Sequence, residues 1–111
     1  MLPENLTAVV ARNEIWTGDS ATEPYEAGWA KEVVVFVRAL KEPIGALPKA
    51  RIEISADGMH WAPEGSEFEL PAAKDAVTFQ RVAHFGNFLR VAVTLQEGVE
   101  IAVLVTFHLK A

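Results

Sequence analysis

The chain contains no cysteine, which excludes disulfide bonds, thiolate metal sites and thiol nucleophiles and is typical of a protein that folds in a reducing compartment. Long apolar runs are also missing. Residues 33–37, a run that no other apolar run exceeds, are far fewer than the roughly 20 residues that cross a bilayer. The first residues carry neither a basic segment nor an apolar one, so we expect no secretory signal. The sequence therefore predicts a soluble, cytoplasmic chain with no membrane partner.

Basic residues are fewer than acidic ones. The chain has 10 lysines and arginines against 15 aspartates and glutamates, a net charge of −5, with no long run of one sign. Such a chain repels a phosphate backbone on average, so we expect no nucleic-acid partner. The arginines are spread along the sequence, and a local basic stripe formed by folding stays an open alternative. They are Arg12, Arg38, Arg51, Arg81 and Arg90.

Motifs for catalysis or cofactor binding are missing as well. The 7 glycines form no phosphate-binding pattern, and no serine lies in Gly-x-Ser-x-Gly. The histidines are far apart in sequence and lack acidic residues at metal-site spacing; they are His60, His84 and His108. The acidic residues Asp19, Glu23 and Glu26 do not follow the calcium-loop pattern. We predict no enzyme, no cofactor and no bound metal.

What the chain does have is apolar residues at strand periodicity. It has 111 residues, half of them apolar, which suffices for one domain over residues 1–111 with a core of its own. The clearest pattern, at residues 85–109, predicts two strands joined through Gln96-Glu97-Gly98 as a hairpin. Alternate residues of each strand form an apolar face. These are Leu89, Val91, Val93 and Leu95, then Ile101, Val103, Val105, Phe107 and Leu109.

Further strands are predicted along the whole chain. Residues 5–16, 31–40, 51–55 and 68–70 have strand patterns, and residues 21–28 form a loop or a short edge strand. Asp57-Gly58 predicts a tight hairpin turn, with a return strand that begins at residues 59–61 and is interrupted by Pro63 and Gly65. Residues 71–85 fit a helix or a strand, and we favour the strand. About eight strands at this spacing indicate an all-β fold, an antiparallel β-sandwich or jelly roll.

The strand at residues 33–40 is apolar on both faces. A sandwich buries only one face of each sheet, so the second face is covered either by the long loops or by another subunit, and the sequence does not decide between them. The strand at residues 100–109 is the other candidate for an interface. The interface candidates are Val34, Phe36, Leu40 and Leu104.

Aromatic residues suggest a different function. Exposed tryptophans at the end of a sandwich stack on sugar rings or anchor protein interfaces, whereas buried ones pack the core. The candidates for sugar stacking are Trp16, Trp29 and Trp61, with core packing as the alternative for each.

The segment Ser55-Ala56-Asp57-Gly58-Met59-His60-Trp61 resembles the Ser-x-Asp-Gly-x-x-Trp hairpin of many bacterial and phage-encoded β-sandwich proteins. It also resembles a shortened Asp-box of sialidase-type propellers, but it occurs once and lacks one residue. Together with residues 85–93, the hairpin resembles small jelly-roll proteins of phage-like gene clusters and discoidin-like sandwiches. This resemblance implies a sandwich fold and assigns no functional residue.

These observations favour a non-enzymatic structural or assembly protein that self-associates, with a component of a phage-like particle as its most concrete form. The alternative is a carbohydrate-binding module that uses its tryptophans.

Overall fold

The computed structural model describes residues 5–111. Residues 1–4 lie outside the described part. The prediction of no secretory signal and the start of the predicted domain both involve these residues. The described residues form nine strands. They are β1 Asn5–Trp16, β2 Asp19–Ala21, β3 Tyr25–Glu26, β4 Glu32–Ala39, β5 Ala50–Ser55, β6 Ala62–Phe68, β7 Val77–Ala83, β8 Phe88–Thr94 and β9 Ile101–Lys110.

The strands lie in two antiparallel sheets. In sheet A the order is β1-β9-β4-β7, and in sheet B it is β2-β8-β5-β6, with β3 also paired to β8. The fold is an all-β antiparallel β-sandwich, as predicted. About eight strands are predicted and nine are found; residues 21–28, predicted as a loop or a short edge strand, contain β3 and the end of β2.

The core lies between the sheets and consists of the inward side chains of alternate strand residues. Both apolar faces predicted from residues 85–109 are buried in it: Leu89, Val91, Val93, Leu95, Ile101, Val103, Val105, Phe107 and Leu109. From β4 the inward residues are Val33, Val35, Val37 and Ala39. The period of two in the sequence therefore identifies the side of each of these strands that faces the core.

The predicted hairpin of residues 85–109 is wrong, because β8 and β9 belong to different sheets. β8 pairs with β2, β3 and β5, whereas β9 pairs with β1 and β4. The Gln96–Glu97–Gly98 connection, closed by a hydrogen bond from the Val99 amide to the Gln96 carbonyl, carries the chain across the core. The apolar faces of the two strands thus meet across the sandwich, instead of lying side by side on one sheet.

The prediction for residues 59–70 is also wrong in detail. The turn after β5 runs through Trp61, and β6 is one continuous strand, Ala62–Phe68, that includes Pro63 and Gly65. Proline is tolerated there because β6 lies at the edge of sheet B. Gly65 has a φ of 115°, and the register against β5 shifts between Arg51 and Glu53, so an irregular edge replaces the expected interruption.

The strand favoured within residues 71–85 is confirmed as β7, Val77–Ala83. β7 pairs along its length with β4, with Phe79 opposite Phe36 and Arg81 opposite Val34. Residues 5–111 contain no helix, and so none long and apolar enough to cross a membrane.

Candidate interaction surface

Sheet A has an outer side that faces away from the core. Since β4 buries its odd-numbered residues, Val34, Phe36 and Arg38 point outward, and the register places their neighbours on the same side. Its apolar members form what we call the outer apolar face. They are Val9 and Ile15 of β1, Val34 and Phe36 of β4 with Leu40 just after it, Val77 and Phe79 of β7, and Ala102 and Leu104 of β9.

The outer apolar face is open to solvent over much of its area. Ile15 is 58% exposed, Val77 54%, Phe79 49% and Val9 42%, so the described loops leave these side chains uncovered. Phe36 and Phe79 form a tilted aromatic pair with ring centroids 6.2 Å apart. Large exposed apolar side chains that adjoin one another are unusual on a monomeric protein and mark interaction sites.

The structure brings the four interface candidates together. Val34, Phe36, Leu40 and Leu104 are half-buried neighbours on this face, because β4 and β9 are paired at the centre of sheet A. Sequence reasoning missed the contribution of β1 and of Phe79. Phe79 belongs to this face because β7 pairs with β4 and places Phe79 opposite Phe36. The sequence pattern of either strand alone does not show this pairing.

The outer side of sheet B is polar. Glu53, on β5, accepts hydrogen bonds from Arg90 Nε at 2.8 Å and from Arg51 Nε at 3.1 Å, and its side chain is only 12% exposed. Burial raises the pKa of Glu53, but the hydrogen bonds and charges of Arg90 and Arg51 outweigh it, so the pKa lies below its usual value. The two sides of the sandwich therefore differ: one is apolar and one carries paired charges.

The tryptophans have three different environments. Trp16 is 2% exposed and packs in the core, so its proposed role in sugar stacking is wrong: its first-strand position points inward. Trp61 is covered on one ring face by the Arg90 guanidinium, whose central carbon lies 4.2 Å from the ring centroid. Trp29 is 41% exposed. Of the three, Trp29 retains the most accessible ring for a ligand.

The Ser55–Trp61 segment is stabilised by its own side chains. Ser55 Oγ accepts hydrogen bonds from the Asp57 amide at 3.2 Å and the Gly58 amide at 2.8 Å. Asp57 Oδ1 accepts hydrogen bonds from the Met59 and His60 amides, both at 2.8 Å. Gly58 has a φ of 79°, a conformation that favours glycine. The turn is longer than the predicted two-residue hairpin. These hydrogen bonds explain the Ser-x-Asp-Gly pattern as turn formation.

Asp57 also pairs with the imidazole of His60, with Oδ2 2.6 Å from Nδ1. Hydrogen bonds from the His60 amide and ring, and from Met59 and Ser55, hold the pKa of Asp57 well below its usual range. The hydrogen bond and charge of Asp57 raise the pKa of His60. The imidazole is exposed, so this ion pair lies on the solvent side of the turn.

A cavity of about 500 Å³ lies next to this turn, lined by both His60 and His84 together with Asn87. His108 is distant from it, on the outer side of sheet A opposite Val34. In the part of the chain that the structure describes, no three histidine, aspartate or glutamate side chains are grouped to hold a metal ion.

The sequence matches no protein-family model and no curated protein. Two solved structures are similar in fold. The SPBc2 prophage-derived protein YomS has a TM-score of 0.59 at 13% identity, over 100% of this chain and 96% of that one. A protein in the structure of the infectious bursal disease virus Gx strain has a TM-score of 0.53 at 10% identity, over 97% of this chain and 32% of that one. These likenesses show the fold.

Proposed function

We propose that the chain is a non-enzymatic structural subunit that assembles with copies of itself, as a component of a phage-like particle. The observation that carries this proposal is the outer apolar face, where Phe79 and Val77 of β7 stay about half exposed beside the half-buried Phe36, and Ile15 of β1 is exposed at the opposite edge of the sheet. A second copy that covers these side chains removes them from water.

The free energy available is substantial. Full burial of a large apolar side chain contributes about 1.5–3 kcal/mol, so covering each half-exposed side chain contributes roughly 1 kcal/mol. The side chains of Val9, Ile15, Val77 and Phe79 are the ones with most surface left to bury. Association also has an entropic cost, and the partly buried centre around Phe36 adds the packing that helps to offset it.

The topology supports a particle component. Apart from β3, the strands divide four and four, and the connections after β1, β3, β4, β6, β7 and β8 pass from one sheet to the other. This is the connectivity expected of a jelly roll, an architecture of many viral capsid proteins. The similar structures come from a prophage and from a virus, in keeping with the same proposal.

A carbohydrate-binding module is the second candidate, and the exposure of Trp29 is the observation that favours it. The charged outer side of sheet B, with Arg90 already stacked on Trp61, leaves less room for a sugar there.

The test compares two matched charge insertions by size-exclusion chromatography with light scattering. Phe79→Glu places a carboxylate in the outer apolar face, and Thr94→Glu places one at an exposed position on the outer side of sheet B. We expect the wild type and Thr94→Glu to associate and Phe79→Glu to be a 12 kDa monomer. Equal association of Phe79→Glu and the wild type, or a monomeric wild type, overturns the proposal. Circular dichroism verifies that both variants keep their strands.

A further inference from the structure

We infer that two copies join face to face through sheet A, about a two-fold axis that lies in the interface and runs perpendicular to the strands. This inference rests on the proposed self-association and specifies its geometry. The axis passes over the row of Val105, Val37 and Thr78, which are aligned on β9, β4 and β7. In such a pair each strand faces its own copy, running antiparallel to it.

Residues of opposite charge flank β9. Glu100 immediately precedes the strand, and Lys110 ends it. Both lie on the outer side, since the odd-numbered residues between them are buried. Their midpoint is Val105. A rotation about that point places Lys110 of one copy next to Glu100 of the other, twice.

The charges flanking β7 have the same arrangement. Asp75 precedes the strand and Arg81 lies near its end, and their midpoint is Thr78. Asp75 binds Arg38 at 2.7 Å, but its side chain is 56% exposed and keeps a free carboxylate edge. Arg81 extends over the Phe79 ring, 5.1 Å from its centroid. The same rotation brings Arg81 next to Asp75 of the second copy.

The two midpoints coincide in the sheet. Val105 pairs with Val37, and Val37 pairs with Thr78, so a single axis satisfies the opposite charges of β9 and β7 together. A head-to-tail contact would not need this coincidence. An interface between identical surfaces requires it, because every residue must meet its complement in a copy of the same surface.

The outward residues between these charges are mostly apolar. About the same axis, Val77 faces Phe79, Val34 faces Leu40 and Phe36 faces Arg38 of the second copy. Leu104 lies next to Thr106 of the second copy, at the centre. β1, whose register shifts between Val9 and Glu14, contributes the margin of the contact through Val9.

The area is adequate for a stable pair. Four strands about 4.8 Å apart and about ten residues long cover roughly 650 Å² per copy. The total of roughly 1,300 Å² lies at the lower end of the range for specific interfaces. The net charge of −5 opposes association, but on the outer side of sheet A the cations Arg38, Arg81 and Lys110 balance the anions Glu32, Asp75 and Glu100, which limits that repulsion.

The first experiment exchanges charges between copies. Glu100→Lys and Lys110→Glu each place like charges opposite one another twice, so we expect each variant alone to dissociate about tenfold more readily. Mixed in equal amounts, the two variants form a pair in which every contact again joins opposite charges. We expect the mixture to regain the wild-type dissociation constant. Mixing changes the sequence of neither variant, so recovery of the wild-type dissociation constant cannot come from a change in folding.

The second experiment tests the central contact in a chain that has no other thiol. Leu104→Cys and Thr106→Cys are prepared separately, mixed and oxidised mildly, and the disulfide-linked products are identified by mass. We expect the mixed dimer to dominate over both homodimers. Leu104→Cys mixed with Thr94→Cys, whose thiol lies on sheet B, is the control and yields no excess of mixed dimer.

Self-association and the two-fold geometry are tested by different outcomes. If the wild type associates but charge mixing restores nothing and the thiols of residues 104 and 106 do not join preferentially, the two-fold geometry is wrong and self-association stands. If the wild type stays monomeric at every concentration, both are wrong.

Discussion

The guanidinium group of Arg90 lies over the indole ring of Trp61 and at the same time donates a hydrogen bond from Nε to Glu53 Oε1 at 2.8 Å, while its Nη2 forms an ion pair with the same oxygen at 2.7 Å. Arg90 thereby connects the turn after β5 to the centre of sheet B. This contact makes the outer side of sheet B a structural surface, in contrast to the open apolar side of sheet A.

Replacing Arg90 with alanine removes both interactions. The nearly buried Glu53 keeps only Arg51 as a cationic partner, and Trp61 loses the group above its ring. We expect Arg90→Ala to lower the free energy of unfolding by about 2 kcal/mol, measured by urea denaturation. Thr94→Ala, which removes only an exposed 3.3 Å hydrogen bond from Arg51 Nη1 to the Thr94 hydroxyl, is the control and changes stability little. A loss below about 0.5 kcal/mol for Arg90→Ala would show that this network does not stabilise the fold.

The pair of Asp57 and His60 predicts a pH dependence. The pKa of His60 is raised, so its contribution is complete below the unfolded value of 6.5 and is lost as the pH rises through the folded pKa. The pKa of Asp57 is lowered, so its contribution is present above 3.8 and is lost as the pH falls through the folded pKa. We therefore expect the stability difference between wild type and Asp57→Asn to be largest between these two values.

Nuclear magnetic resonance measures the same coupling directly. Titration of the His60 ring protons should give a lower pKa in Asp57→Asn than in the wild type. Identical His60 titrations in the two proteins would rule out the ion pair in solution.

Thr78 offers a stabilising substitution. Its Oγ1 is buried and has no hydrogen-bond partner among the residues that the structure describes. Valine has the same shape without the hydroxyl, so Thr78→Val should raise the free energy of unfolding by about 1 kcal/mol. Val82→Thr, which places a hydroxyl in the buried part of the same strand, should lower it. Destabilisation by Thr78→Val would mean that water or a partner satisfies this hydroxyl.

Trp29 provides the test of carbohydrate binding. A glycan array with the wild type and Trp29→Ala should show no specific binding by either protein if the chain is a structural subunit. Specific binding that is lost in Trp29→Ala and kept in Trp16→Phe, whose side chain is buried, would favour the carbohydrate-binding alternative.

Much of the fold follows from local pattern. The alternation in residues 89–95 and 101–109 predicts their buried side chains because a strand in a sandwich has one face in the core. The same pattern contains no information about which strand pairs with which. For this reason β8 and β9, adjacent in sequence, were expected to pair although they lie in opposite sheets.

The candidate surface depends on register more than on pattern. Val34 and Phe36 can be identified from the sequence as interface residues, because a strand that is apolar on both faces must have its outer face covered by another part of the chain or by another subunit. Phe79 joins them only because β7 pairs with β4, and the sequence of residues 71–85 leaves helix and strand open. The position of Trp16 was undecided for a related reason: at the end of a strand, sequence alternation does not show on which side the ring lies.

The oligomeric state of the unmodified chain tests the central claim most directly. Sedimentation equilibrium over a wide range of protein concentration should yield masses that rise from 12.1 kDa toward an even multiple of it. Thr78 points toward the core, so Thr78→Val should change the dissociation constant only as far as it changes the stability of the folded chain. A single species of 12.1 kDa up to hundreds of micromolar would contradict self-association through the outer apolar face.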